Sequence, residues 1–184
     1  MARAWLFGDA INTDQIIPGR FNVTTDAAAL GAGCFIELRP EFHSEATPGD
    51  VVVAGRDFGC GSSREHAVIA LQALGIGAVI APSFARIFYR NAINRGLPLM
   101  ECDEACALLS DGDQVEFDLD AGTIRVVATN LSLQARPLPA FVQRIVRHGG
   151  VLELVRVHGS LRSECTADCG ERPAVTALPA MSEA

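Results

Sequence analysis

The alternation of short apolar runs with helix-forming stretches between residues 51 and 100 constrains this chain more than any other feature. Val51, Val52, Val53 and Ala54 form a β-branched run, followed by Gly55, Gly59 and Gly61 and by a segment of helical character over residues 64–74. That order predicts strand, glycine loop, helix. Ala78, Val79, Ile80 and Ala81 make a second buried strand that Pro82 ends; Ser83 is placed to cap a helix running to about Arg95, and Gly96 to stop it. Residues 97–100 supply a third strand. A βαβαβ order of this kind favours parallel pairing with right-handed crossovers, because parallel neighbours need a long connection that a helix provides. The fold class expected is α/β, and loops at the strand ends become natural binding sites.

The second half reads as scaffold. Residues 114–119 and 123–128 alternate apolar and polar side chains around Asp120, Ala121 and Gly122, which predicts a hairpin. Phe141, Val142, Ile145 and Val146 recur at helical spacing, with Gly149 and Gly150 as the stop. From about Gly159 onward the chain turns polar, with Pro173, Pro179 and small residues. With 184 residues and 49% hydrophobic side chains there is enough for one full core, so the expectation is one domain over 1–158 and a loosely ordered tail over 159–184.

Charge excludes one class of partner. A formal charge of −7 and an isoelectric point near 5.0 disfavour nucleic-acid binding, which needs clustered cations to neutralise phosphates. No run approaches the ~18 apolar residues of a membrane span. Met1 to Asp9 hold Trp5, Leu6 and Phe7 without a basic stretch leading an apolar run, so no signal peptide is expected and the location expected is cytoplasmic. The six cysteines then read as reduced thiols. Cys102 with Cys106, and Cys165 with Cys169, have a spacing that would put each pair on one helical face, but no neighbouring histidine or C-x-x-C knuckle accompanies them. No metal site is expected within this chain.

The segment Asp57-Phe58-Gly59-Cys60-Gly61-Ser62-Ser63-Arg64-Glu65-His66 carries the chemistry. Glycines let the backbone turn and come close to a ligand. The unpaired N–H groups at a helix start favour an anion, and Arg64 adds a planar fork suited to a carboxylate. Three well-known loops fail here: no lysine follows the glycines as in a P-loop, neither serine sits between glycines as in a hydrolase elbow, and Arg64 occupies the third glycine position of a dinucleotide-binding turn. On the residues alone two readings stand together, an acid-binding loop and a plain helix start with Ser62 as its cap and Arg64 in a structural ion pair. Cys60 reads as a small spacer, since no histidine is placed beside it to make a nucleophile.

Three motifs in register add a resemblance: residues 59–66, then Pro82-Ser83-Phe84-Ala85-Arg86-Ile87-Phe88-Tyr89-Arg90-Asn91-Ala92-Ile93-Asn94, and the early Asn12-Thr13-Asp14-Gln15-Ile16-Ile17-Pro18. Together, from near the amino end to about His148, they resemble the small subunit of 3-isopropylmalate dehydratase and the swivel domain of aconitases. The resemblance implies an aconitase-type swivelling β/β/α domain with a βαβαβ core and additional strands. It implies a hydro-lyase active only with a large subunit, whose four-iron four-sulfur cluster binds the substrate hydroxyl as a Lewis acid. Ser62 matches the family's catalytic serine, the base that takes a proton beside a carboxylate. Gly61, Ser63 and Arg64 match the substrate-binding loop, and Asp14 matches an aspartate that pairs with an active-site histidine, here one from the partner. Arg86 and Arg90, four apart on one helix face, read as structural or interface residues, and His66 as a helix residue with a local hydrogen bond.

Substrate choice in this family is influenced by the loop after the first motif. Here it reads Arg20-Phe21-Asn22-Val23-Thr24-Thr25-Asp26; Arg20 matches a framework position, and the selective arginine that follows in some members is absent. Without that cation, tricarboxylates are disfavoured, and Val23 with the methyl groups of Thr24 and Thr25 favours an alkyl branch. The substrates expected are 3-isopropylmalate, which would place the chain in leucine biosynthesis, with 2,3-dimethylmalate, citramalate-type acids or homoaconitate as alternatives. A reading of another class is an organic-acid-binding or regulatory module without catalysis, which would bind its ligand alone.

Overall fold

The computed structural model describes residues 1–159. Seven strands form one sheet: β1 (Ala2–Leu6), β2 (Val51–Val53), β3 (Ala78–Ala81), β4 (Leu99–Glu101), β5 (Gln114–Asp118), β6 (Thr123–Val126) and β7 (Leu131–Gln134). Among the described residues eight α-helices accompany them: α1 (Thr13–Ile16), α2 (Ala27–Ala32), α3 (Phe42–Glu45), α4 (Glu65–Ala73), α5 (Arg86–Arg95), α6 (Ala105–Leu108), α7 (Ala140–Arg147) and α8 (Val151–His158), with a 3-10 helix over Gly19–Val23. The strand order is β4-β3-β2-β1-β5-β6-β7. The first four strands pair in parallel, with α4 and α5 as the crossovers, and β1 turns antiparallel against β5 to begin a meander through β6 and β7. The α/β class, the βαβαβ core and the hairpin are as the sequence predicts.

Both faces of the parallel half are covered, which is why its strands carry apolar runs instead of alternation. Trp5, Val52, Val79 and Leu99 point into a core shared with α1, α2, α4 and α5. Ala4, Val51, Val53, Ala78 and Ile80 face the other way, onto Val115, Ile124 and Leu133 of the meander and onto Ala105 and Leu109. Asp50, at the foot of β2, is buried, but its carboxylate accepts from Arg3 N, Trp5 Nε1, Thr47 N and Thr47 Oγ1. Burial alone would push this carboxyl up; the four donors outweigh it and hold it below the usual carboxylate range.

Two local expectations are corrected. Ser83 does not cap α5, whose N-cap is Ala85 with no side-chain bond. Its hydroxyl lies two residues too early and instead accepts from Asp57 N at 2.9 Å, across the next loop. Cys102 and Cys106 do not share a helix: Cys102 is buried just beyond β4, before α6 begins, while Cys106 lies on α6 with its Sγ 3.7 Å from the carbonyl of Phe7. The expected tail, with Cys165 and Cys169, lies outside the described residues.

Candidate active site

Three loops meet at the carboxyl edge of the parallel strands, where an open α/β sheet places its binding site. The segment after β1 is joined to the glycine loop by Gly59 N donating to Ile11 O at 2.7 Å and Thr13 N donating to Cys60 O at 2.9 Å. The loop after β3 joins it from the other side, through Phe58 N to Ser83 O (3.1 Å) and Ala85 N to Phe58 O (2.9 Å). Phe58 anchors the loop in the core, its ring edge-on to Phe88 with centroids 5.2 Å apart. Gly59 follows at a positive φ of 79°, and a Cβ there would fall 2.2 Å from Phe88 Cγ. Gly61 also has positive φ, 95°, which turns the chain outward and leaves Ser62 and Ser63 exposed.

The sequence leaves open whether Ser62 is simply the cap of α4. It is not: the N-cap is Arg64, with no side-chain cap bond. Among the described residues, the N–H groups of Gly61, Ser62, Ser63 and Arg64 donate to no acceptor, and the Ser62 hydroxyl is likewise unengaged. Unclaimed donors at the start of a nine-residue helix give a local positive potential. Thr13, the buried first residue of α1, donates its Oγ1 to Ser62 O at 3.0 Å and so fixes the peptide that carries the serine. The sequence assigns Thr13 no part of its own beyond its place in the first motif.

Arg64 is mostly sheltered and donates to Asp14 Oδ1. The pair lies against Gly19, where an added Cβ would be 3.6 Å from both partners, and therefore beside the loop expected to govern selectivity. Within that loop Phe21 packs inward, its ring against Gly33, while Val23 is 92% exposed. Thr24 Oγ1 accepts from Asp26 N, and Asn22 and Thr25 face solvent. Arg20 pairs with Glu37 on the surface. Cys60 is half-buried with its thiol directed at Ala10 O (3.3 Å), which agrees with a spacer. His66 lies on α4 without the local hydrogen bond expected of it.

Among the described residues, no three His, Cys, Asp or Glu side chains stand together to hold a metal. Cys34 is sealed in the core, where burial pushes its thiol far up, and Cys60 and Cys106 each face a backbone carbonyl. This donor set does not fit an iron-sulfur cluster.

The profile of the aconitase C-terminal domain matches residues 11–104, which hold the three loops just described. The chain belongs to the aconitase C-terminal domain family. Within that family it is similar to the 3-isopropylmalate dehydratase small subunit 1 of Methanopyrus kandleri, 52% identical over 157 residues that cover 85% of this chain and 92% of the relative. It is also similar to the 2,3-dimethylmalate dehydratase small subunit of Eubacterium barkeri, 48% identical over 149 residues, with 81% and 91% covered. The crystal structure of 3-isopropylmalate dehydratase from Methanocaldococcus jannaschii superposes with a TM-score of 0.82 at 42% identity, covering 89% of this chain and 97% of that one. Such relatives are small subunits, and aconitase-family dehydratases of this kind act as lyases with a large subunit. No helix among the described residues is long and apolar enough to cross a membrane.

Proposed function

We propose that this chain is the small subunit of a hydro-lyase that dehydrates and rehydrates an alkyl-branched 2-hydroxy dicarboxylic acid, with 3-isopropylmalate as first substrate, serving leucine biosynthesis in the cytoplasm. One observation carries the chemistry: an unengaged Ser62 hydroxyl sits among unclaimed N–H groups at the uncapped start of α4, next to the Arg64 fork. Ser62 Oγ takes the proton from the carbon beside a carboxylate and returns it in the hydration half. As the base, Ser62 is an alkoxide whose negative charge passes to the substrate with the proton transfer, and the N–H groups of residues 61–64 and the helix start stabilise that charge in both places. Arg64 and the Ser63 hydroxyl hold the carboxylate. Asp14 keeps the guanidinium aimed; its second oxygen, without a partner among the described residues, is left for a histidine of the large subunit. The iron-sulfur cluster of the reaction is assigned to that subunit, since the described cysteines here offer no site for it.

Reconstitution with the cognate large subunit, followed by a turnover panel of branched 2-hydroxy dicarboxylic acids, tests the reading. Ser62→Ala is expected to lower kcat at least ~100-fold, the lower range for a lost proton-transfer group, while co-purification with the large subunit persists. Near-normal turnover in that variant would refute the role given to Ser62. The relative named for 2,3-dimethylmalate, 48% identical, favours that acid as a second candidate, and the same panel ranks the two by kcat/KM.

A further inference from the structure

The hairpin of α7 and α8 holds a pair of histidines that the dehydratase reading leaves unused. His148 caps α7, His158 is the last residue of α8, and their Nε2 atoms lie 3.3 Å apart. The hairpin is fixed on the fold: Ile145, Val146 and Leu154 pack with Ile93 of α5, and a Cβ on Gly150 would fall 2.5 Å from Asn94 O. His148 Nδ1 lies 2.8 Å from Arg144 O, a carbonyl that can only accept. In the neutral ring Nδ1 therefore carries the proton, and the lone pair on Nε2 faces His158. Metal-binding histidines are oriented in this way, by a hydrogen bond from the outer ring nitrogen. A tetrahedral ion ~2.0–2.1 Å from each nitrogen would hold the two nitrogens ~3.3–3.4 Å apart. Rings aimed at one such ion have centres ~5.2 Å apart, against ~5.6 Å for rings collinear about a direct N–H···N bond of 3.3 Å, and the observed separation is 5.2 Å.

We propose that His148 and His158, joined by Cys165 and Cys169, form a closed two-histidine, two-cysteine site for zinc that ties the C-terminal segment to the α7 and α8 hairpin. The two cysteines lie outside the described residues, but the sequence puts them within reach: Cys165 follows His158 by seven residues and Cys169 by eleven. Seven residues can span up to ~23–25 Å, far more than a shared ion requires. The C-x-x-x-C spacing is within the range zinc sites use. The expectation of no metal in this chain rested on the cysteine pairs having no histidine beside them in sequence; folding brings two histidines together as a ready pair. Zinc entering the site displaces the two thiol protons to water and binds both rings through neutral Nε2, so that two thiolates balance the charge of the ion. Four protein ligands leave no open position, which makes the site structural and separates it from the dehydration chemistry. The site is independent of the function proposed above.

The test uses the full chain, free of any histidine tag, reduced, stripped with a chelator and titrated with Zn²⁺ and, separately, with Co²⁺ as a spectroscopic stand-in. We expect one equivalent of zinc to bind. With cobalt we expect the visible bands of a tetrahedral ion together with sulfur-to-cobalt charge transfer in the near ultraviolet. His158→Asn, at the exposed end of α8, and the double variant Cys165→Ser with Cys169→Ser should each weaken zinc binding by more than the ~10- to 100-fold that loss of an outer-shell partner brings. Circular dichroism of each variant, matched to that of the parent, excludes unfolding as the cause. Uptake below one equivalent, a cobalt spectrum without the sulfur band, or either variant binding zinc as tightly as the parent would overturn the proposal.

Discussion

Gly59 has no room for a methyl group and sits at a backbone angle that side chains avoid, so the loop depends on this one residue twice over. Gly59→Ala is expected to cost about 2–4 kcal/mol, from left-handed strain together with a clash against the Phe88 ring. Denaturant melts of parent and variant check this; coincident midpoints would mean that the ring simply moves aside. Thr13 acts over a longer reach. Thr13→Val keeps the shape but leaves Ser62 O without its donor, and should cost about 1–3 kcal/mol and lower kcat more than it raises KM. The two residues differ in how visible they are beforehand. Gly59 and Gly61 announce a turn by spacing alone, while the role of Thr13 exists only through a contact with residue 62, 49 positions away.

At the scale of elements, the contrast between two helix starts separates scaffold from site. α1 opens with a full capping box, Asn12 Oδ1 accepting from Gln15 N at 2.8 Å and Gln15 Oε1 accepting from Asn12 N at 2.9 Å. α4 opens with no cap at all, leaving its donors for something other than the chain itself. Asn12→Ala should therefore cost about 1 kcal/mol of stability and disturb the glycine loop through Thr13, read as a lower melting temperature and a raised KM. The strands and crossovers of the parallel half were legible because β-branched runs, prolines and stop glycines punctuate them. β1 was not, since Ala2–Leu6 is short and packed on both faces, with no alternation to mark it. Nor was β7, a four-residue strand made by pairing with β6. The mistaken cap at Ser83 has the same origin: the donor that engages its hydroxyl, Asp57 N, is supplied by another loop and is invisible along the chain.

For the molecule as a whole, two carboxylates, Asp50 in the interior and Asp111 on the surface, join its distant parts. Arg39 lies over the Trp5 ring at 4.5 Å and grips Asp111 with two bonds of 2.6 Å, across 72 residues. The fork holds the Asp111 carboxyl at about 2, while Asp50 is held low by its four donors. Both groups bind their proton more weakly in the folded chain than in the unfolded one. The stability they add is complete above the ordinary carboxylate value near 4 and is lost as pH falls through the folded values. Thermal melts should stay level above about pH 5 and drop steeply below about pH 4, and Asp111→Asn should flatten part of that drop.

β1 also joins the two halves, paired with β2 on one side and with β5 on the other. Along the chain this central strand precedes its neighbours by about fifty residues for β2 and about 110 for β5, so the apolar stretch around Trp5 has no strand beside it until β2 is made. The parallel half can close once Glu101 is out, giving the meander a finished edge to dock on. The strand at the heart of the sheet is thus the one that waits longest in the open, and a nascent chain of this design has reason to meet a chaperone early.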